Sequence, residues 1–256
     1  MTSRTKIYFA SDVHLGSNFF EDTRIVEKRF VAWLNFIRKD AKALYLLGDI
    51  FDYWFEYKHV VPKGFTRFLG KIAEMTDEGI EVHFFIGNHD VWAFDYLPKE
   101  IGVILHSKEY ITEIYGKKFF LAHGDGLGDD SKSFRLIRSI FHNKVCQKMY
   151  SWIHPRWTTA FAHRWSKHSR AEGLEELSTG YLGENKEHLV LFAKQYLAHS
   201  PDIDFFVFGH RHIMLDLMIS KKTRVLILGD WMQFFSYGVL NEHGEMELSV
   251  FEDNFE

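Results

Sequence analysis

Histidine and acidic residues stand directly after several short apolar runs of this sequence. The pattern occurs as Asp12-Val13-His14, Gly48-Asp49, Gly87-Asn88-His89-Asp90, His123-Gly124-Asp125 and Gly209-His210-Arg211-His212. Each apolar run has the length of a buried strand, so each motif would lie at a strand end. In open α/β sheets, ligands bind beyond the carboxyl ends of the strands. One such motif arises easily by chance, but five in succession predict a shared polar site.

These residue types fit one kind of chemistry. Imidazole nitrogens mixed with carboxylate and amide oxygens, without thiolates, suit divalent manganese, iron, zinc or magnesium. Two such ions ~3.5–4 Å apart can activate a water for in-line attack on phosphorus. A carboxylate that touches both ions would hold that spacing, and Asp49 is the natural candidate. We therefore expect two divalent metal ions as cofactors, with manganese, iron, zinc and magnesium all compatible with these ligands.

The elements that must position these motifs begin with a regular alternation of strand and helix. Strands are predicted at 6–10, 43–47 and 81–86, with helices over 22–38 and 65–77 between them. This order is typical of βαβ units. A hairpin is predicted at 110–122, followed by a helix at about 184–199 and strands at 204–208, 225–228 and 246–251. The sequence therefore predicts an α/β protein.

Bulk composition narrows the class of protein. A chain of 256 residues with 46% hydrophobic and 26% charged residues fits one soluble domain spanning 1–256. A single cysteine, Cys146, excludes an internal disulfide and favours a reducing compartment such as the cytoplasm. The net charge of -4 argues against a protein that coats nucleic acid. Histidines outside the motifs, such as His83, are expected at surface or capping positions.

One segment differs sharply from the rest of the chain. From Ser131 to Ala171 there is no Asp or Glu, but there are nine Lys or Arg, interleaved with aromatic residues. Since the whole chain carries -4, the remainder carries -13. We interpret residues 131–175, approximately, as a helical, basic and aromatic cap inserted over the site. Such a cap can meet phosphates and apolar chains together, or lie on an anionic membrane surface. A solvated basic face over an aromatic core and a nucleic-acid patch are the alternatives.

The motifs resemble those of the calcineurin-like metallophosphoesterase superfamily, which run DxH, GDxxD, GNHD, H and GHxH. The resemblance spans residues 7 to about 231. It implies a four-layer α/β/β/α sandwich of two packed sheets. It also implies one metal ion at Asp12, His14, Asp49 and His212, and the other at Asp49, Asn88, His123 and His210. By the same resemblance His89 and Asp90 are catalytic, with His89 acting on the phosphoryl oxygens or the leaving group and Asp90 holding it.

A narrower resemblance is to the UDP-2,3-diacylglucosamine hydrolase family of lipid A biosynthesis. It is carried by the runs from Gly48 to Trp54, from His123 to Asp130 and from Leu228 to Trp231, and by the position of the cap. That family splits the pyrophosphate of an acylated nucleotide-sugar lipid into UMP and 2,3-diacylglucosamine 1-phosphate. The resemblance implies a cytoplasmic protein in peripheral contact with the inner membrane surface, with no nucleic acid or protein partner expected. The implied substrate contacts are Asn88, His89, Asp130, Arg135, Ser169, Arg170 and His210.

This sequence departs from the narrower family at a few positions. Its best-known members have Arg where this chain has His89, and they have Asn and Lys where this chain has Gly173 and Glu176. A metallophosphodiesterase or phosphatase acting on a soluble nucleotide is therefore the alternative function. A non-enzymatic module that binds a membrane surface is a further alternative. The sequence disfavours that module because none of the expected metal ligands is replaced.

Overall fold

The structure is a computed structural model that describes residues 4–17, 22, 24–128, 132–158 and 180–252. Strands and helices alternate in the first half, and strands dominate the second. The strands are β1 Lys6–Ala10, β2 Ala41–Leu47, β3 Glu81–Phe85, β4 Ile104–His106, β5 Tyr110–Ile114, β6 Lys117–Ala122, β7 Phe205–Phe208, β8 Met214–Met218, β9 Arg224–Leu228, β10 Ser236–Leu240 and β11 Met246–Val250. The helices are α1 Arg24–Ile37, α2 Thr66–Asp77, α3 Tyr96–Ile101, α4 Lys132–His142, α5 Lys144–Ser151 and α6 His188–His199.

Two sheets form the centre of the molecule. The first has the strand order β11-β10-β1-β2-β3-β4, and the second has the order β5-β6-β7-β9-β8. Strands β1 to β4 are parallel to one another, as are β6, β7 and β9, whereas β10, β5 and β8 join as antiparallel neighbours. The carboxyl ends of the parallel strands therefore carry the five motifs.

Side chains alternate along the strands between the space separating the sheets and the helices outside them. On β1, Phe9 faces the second sheet and stacks on Phe119 at 5.9 Å, while Tyr8 faces α1 and meets Trp33 at 6.2 Å. On the outer face of the second sheet, Phe206 packs with residues of α6. The layers are therefore helix, sheet, sheet and helix, which confirms the predicted four-layer sandwich.

Helices α4 and α5 make up most of the described part of the predicted cap. Helix α4 and helix α5 follow each other with only Asn143 between them, and the Asn143 side chain accepts hydrogen bonds from the first turn of α5. The boundaries of the cap stay a prediction, because 159–179 lie outside the described residues. None of the described helices is long and apolar enough to cross a membrane.

The expectation that His83 lies at a surface or capping position is wrong. Its side chain is buried on β3, stacks on Tyr45 at 4.2 Å, and places Nδ1 2.9 Å from Nε2 of His106 on β4. The residue alternates with the apolar side chains of a buried strand, and its Nδ1 finds a partner in a second histidine.

Candidate metal centre

Loops after five parallel strands meet at one edge of the sandwich. Within the first sheet, the Asp12 N–H donates to Gly48 O at 3.1 Å and the His14 N–H donates to Asp49 O at 3.0 Å. Across the sheets, the Trp231 N–H donates to Asp12 O at 3.1 Å. These backbone bonds bring motifs that are distant in sequence within reach of one another.

A first group of donor atoms comprises Asp12, His14 and His212, whose ligating atoms all lie within 4.8 Å of one another. Asp12 Oδ1 is 3.5 Å from His212 Nε2, and His14 Nε2 is 3.9 Å from both Asp12 Oδ1 and Asp49 Oδ2. Among the described residues, Asp12 Oδ1 and His14 Nε2 are buried without a hydrogen-bond partner. Buried polar atoms rarely stay unpaired. A cation between them would satisfy both atoms, so this donor set fits a divalent metal ion.

A second group comprises Asp49, His123 and His210, again within 4.8 Å. His123 Nε2 is 3.3 Å from Asp49 Oδ2 and 3.3 Å from Asn88 Oδ1. Donor atoms that each bind one ion at ~2.1 Å lie about 3–3.5 Å apart. Because Asp49 approaches His14 as well as His123, its carboxylate lies between the two groups, as expected for a bridge.

Neighbouring groups orient two of the imidazoles. The His123 Nδ1–H donates to Leu47 O at 2.8 Å, which turns Nε2 toward Asp49. His212 Nδ1 lies 3.1 Å from Asp230 Oδ2, and Asp230 Oδ1 accepts backbone hydrogen bonds from Met232, Gln233 and Phe234. Such outer partners fix the tautomer and raise the basicity of a metal-binding imidazole. Asp230 was not among the predicted site residues. The sequence pattern that identifies Asp230 is a predicted strand followed by Gly-Asp, as at Gly48-Asp49.

The electrostatics of the centre favour a positive charge. Burial alone would raise the pKa of Asp49, but the imidazoles of His123, His89 and His14 together lower it well below its usual range. Burial alone would lower the pKa of His123, but the Asp49 carboxylate raises it well above its usual range. A proton on His123 thus offsets the negative charge of Asp49, a role that a metal cation would also fill.

The candidate ligands have an uncommon backbone conformation. Among the described residues eight non-glycine residues have positive φ, and five of them are candidate ligands: Asp12, His14, Asp49, His210 and His212. Such conformations are strained and cluster at functional sites. Two glycines beside these residues pack too closely against candidate ligands to carry a side chain. A Cβ at Gly209 would lie 2.5 Å from Asp12 Oδ2, and one at Gly87 would collide with Asp49 Oδ1.

His89 lies beside the centre but is held differently from the expectation. Its ring meets that of His14 at 4.8 Å, and its Nδ1–H donates to the backbone oxygen of Asp52 at 2.9 Å. The predicted orienting contact with Asp90 is therefore wrong. The fully buried Asp90 carboxylate accepts backbone hydrogen bonds from Gly87 at 2.6 Å and Ile50 at 2.8 Å, so it joins two metal-centre loops.

The cap contacts the loops of the metal centre. Arg138 of α4 pairs with Asp125 at 3.0 Å, and the Trp92 indole N–H donates to Phe141 O at 3.0 Å. The Trp92 ring also meets Tyr150 of α5 at 4.8 Å. Of the predicted substrate contacts, Asp130, Ser169 and Arg170 lie outside the described residues, and Arg135 belongs to α4 without a described side chain.

The chain is similar to proteins of known family over most of its length. The family model of calcineurin-like phosphoesterases matches residues 5–214. UDP-2,3-diacylglucosamine hydrolase of Porphyromonas gingivalis is 48% identical over 246 residues, with 92% of this chain and 94% of that protein covered. The protein of the same name from Neisseria meningitidis is 30% identical over 228 residues, covering 88% and 89%. That from Yersinia pseudotuberculosis is 26% identical over 231 residues, covering 87% and 90%.

Proposed function

Because the chain belongs to the calcineurin-like phosphoesterase family of metal-dependent hydrolases, we propose that it hydrolyses the pyrophosphate of UDP-2,3-diacylglucosamine. The products are UMP and 2,3-diacylglucosamine 1-phosphate. The observation that carries this substrate is the near-full-length similarity, at 48% identity, to a hydrolase named for it. A cytoplasmic location accompanies the proposal, since the single cysteine favours a reducing compartment.

Two divalent ions complete the proposed centre, with manganese as the favoured metal. Asp12, His14, Asp49 and His212 hold one ion, and Asp49, Asn88, His123 and His210 hold the other. Support comes from the two groups of donor atoms and from the unpaired, buried Asp12 Oδ1 and His14 Nε2. When bound, such ions neutralise charge on phosphoryl oxygens and lower the pKa of water.

Among the protein's own groups, His89 is the proposed acid for the leaving group. Its Nδ1–H is committed to Asp52 O, so Nε2 is the nitrogen available to the reacting phosphate. The side chain is 14% exposed, which leaves it in reach of a substrate entering the cleft. Asn88 supplies an amide beside His123, where it can also donate to a phosphoryl oxygen.

Product analysis with purified protein tests the substrate. The protein with Mn²⁺ is expected to release UMP from UDP-2,3-diacylglucosamine, and Asp49→Ala should abolish that release because it removes the carboxylate shared by the two proposed ion sites. A small chromogenic phosphodiester serves as a second substrate. Turnover of this diester without UMP release from the lipid would overturn the substrate proposal in favour of a soluble nucleotide substrate, the alternative that the His89 departure favours.

Peripheral contact with a membrane is the second part of the proposal. The described part of the cap exposes apolar side chains at helical spacing beside basic residues: Trp152 is 76% and Trp157 70% exposed. Leu136 and Ile140 of α4, and Val145 and Met149 of α5, are exposed as well. An apolar stripe with adjacent Lys144, Lys148 and Arg156 suits the surface of an anionic bilayer.

Vesicle flotation tests this contact. The protein is expected to bind phosphatidylglycerol vesicles more strongly than phosphatidylcholine vesicles, and to dissociate as the salt concentration rises. The double variant Trp152→Ser/Trp157→Ser should lose this binding. Met218→Ser, which changes an exposed apolar residue on β8, is the matched control. Equal binding of all three proteins would refute membrane contact through the cap.

A further inference from the structure

A strained turn carries one candidate ligand for each metal ion. The Arg211 N–H donates to Gly209 O at 2.8 Å, which closes a three-residue turn around His210. His210 has φ 68° and His212 has φ 48°. Turns of this kind with a positive central φ are rare and strained. They persist only where the surrounding structure constrains them.

The side chain between the two histidines makes a buried ion pair. Arg211 Nε donates to Glu187 Oε1 at 2.8 Å, and its Nη2 donates to Glu187 Oε2 at 3.2 Å. Arg211 is 9% exposed and Glu187 is fully buried. A fork-shaped guanidinium bound at two points holds orientation as well as distance. The backbone of Arg211 is therefore fixed relative to Glu187.

Glu187 is itself anchored at the start of a helix. It immediately precedes α6, and its N–H donates to Gly183 O at 3.0 Å while its carbonyl accepts from Leu191 N–H at 3.0 Å. Its side chain makes no capping bond to α6; the carboxylate pairs with Arg211, and its Oε1 also lies 3.6 Å from His188 Nδ1. The first turn of α6 also lies against the loop of His123, since a Cβ at Gly124 would be 3.3 Å from Leu189.

We propose that Arg211 and Glu187 are positioning residues that hold His210 and His212 in ligating geometry for both metal ions. The inference rests on the proposed two-metal centre. It adds to that centre the Arg211–Glu187 ion pair, which would contact neither metal ion. The turn has other restraints as well: the Gly209 N–H donates to His123 O at 2.9 Å, the His210 N–H donates to Asp12 Oδ2 at 2.9 Å, and Asp230 meets His212 at 3.1 Å. Loss of the ion pair releases the residue between the two ligands.

Manganese titration of the metal-free protein by calorimetry tests the proposal. Arg211→Met removes the charge while keeping a long side chain, and Glu187→Gln removes the carboxylate while keeping its shape. Each variant is expected to bind Mn²⁺ about 10- to 100-fold more weakly, as is common when groups behind metal ligands are removed. Arg211→Lys keeps the charge without the fork and should fall between the wild type and Arg211→Met.

Controls separate positioning from general destabilisation. Arg38→Met breaks an ion-pair cluster with Glu74 and Glu78 just after the end of α1, and it should leave Mn²⁺ affinity unchanged. UMP release by Glu187→Gln should recover toward the wild-type rate at saturating Mn²⁺, because the defect lies in metal affinity. Circular dichroism at limiting Mn²⁺ must show both proteins folded, so that the lower rate of the variant there comes from weaker metal binding and not from unfolding.

The outcomes distinguish the inference from the function on which it rests. Folded Arg211→Met and Glu187→Gln that bind two Mn²⁺ within twofold of the wild-type affinity would overturn the positioning role. If neither variant folds, the pair is a fold-stabilising contact and the inference also fails. Wild-type protein that binds fewer than two Mn²⁺ would instead overturn the two-metal centre itself.

Discussion

At the scale of single residues, Asp90 illustrates how a carboxylate can organise a metal centre without facing it. It is fully buried and accepts from the backbone N–H groups of Gly87, Ile50 and Phe51, the last at 3.4 Å. The loops of Asp49 and Asn88 are thereby held at a fixed separation. A group that satisfies several buried donors at once is hard to replace.

We expect Asp90→Asn to destabilise the protein by about 2–3 kcal/mol, since the amide nitrogen would face buried N–H donors and leave them unpaired. Urea unfolding measures the change. Asp202→Asn, at an exposed residue paired with Lys118, is the control and should change stability by less than about 0.5 kcal/mol. Equal effects of the two substitutions would contradict the role of Asp90.

The sequence predicted the residues that converge on the metal centre better than it predicted their supports. Ligand motifs are local, because each lies within a few residues of a strand end. The partners of His212 and His89 are Asp230 and the Asp52 backbone, 18 and 37 positions away. No spacing rule connects such pairs. The family resemblance implies that Asp90 holds His89, whereas the Asp90 carboxylate accepts from the backbone N–H groups of Gly87 and Ile50.

At the scale of elements, the cap is fastened through the loops that carry the candidate ligands. Tyr53 follows Asp49 by four positions and its hydroxyl is 3.4 Å from that of Tyr150. Trp92 follows Asn88 by four positions and reaches Phe141 and Tyr150. Asp125 follows His123 by two positions and pairs with Arg138. Any displacement of the cap would therefore also displace three of the loops that carry candidate ligands.

We expect Trp92→Phe to lower kcat/KM for UDP-2,3-diacylglucosamine about fivefold, because one hydrogen bond to the cap is worth roughly 1 kcal/mol. Turnover of a small chromogenic phosphodiester should hardly change, since that substrate does not need the cap. Trp33→Phe in α1 removes an indole whose Nε1 has no partner among the described residues, and it is the matched control. A parallel loss on both substrates would argue against a specific link between Trp92 and the cap.

The strands that the sequence did not predict form because they pair with other strands. β10 has a mixed sequence, Ser236-Tyr237-Gly238-Val239-Leu240, and is a strand because it pairs with β1 and β11. β8 pairs with β9, and β4 is only three residues long. The strands with continuous apolar runs, such as β7, were predicted because burial on both faces is visible in the sequence itself.

At the scale of the whole molecule, a pair of histidines joins the edge of the first sheet to the second. His106 of β4 contacts His83 of β3 and also the ring of Tyr110 on β5, at 4.6 Å. Burial, with a smaller contribution from His83, lowers the pKa of His106 to about 4. Since the folded protein favours the neutral ring, its contribution to stability is complete above the unfolded pKa of ~6.5 and is lost as the pH falls toward 4.

We therefore expect wild-type protein to lose more stability than His106→Phe between pH 6.5 and pH 4. For a half-buried ring partly screened by water, the difference should be about 1–2 kcal/mol. Urea unfolding at a series of pH values gives the two slopes. His243→Ala, at an exposed turn, should keep the wild-type slope. Identical slopes for wild type and His106→Phe would refute the assignment.

Metal binding should also stabilise the whole molecule. At 100-fold excess over its dissociation constant, each ion adds about 2.7 kcal/mol. Two ions should then raise the Tm by about 10–20 °C for a chain of this size. A thermal melt with Mn²⁺, compared with one in a chelator, measures the shift, and Asp49→Asn should remove most of it. An unchanged melting temperature with the metal would count against both ion sites.

The position of β1 has a consequence for synthesis. This strand lies between β2 and β10, so its sheet stays open on one side until Leu240 has been made. The loop beyond it is closed by the bond from Trp231 N–H to Asp12 O, which also waits for the last part of the chain. A ribosome-bound chain that stops before residue 231 would thus have the first strands and helices but an unfinished cleft. Metal uptake, and with it activity, should therefore not begin before Trp231 has been made and has left the ribosome.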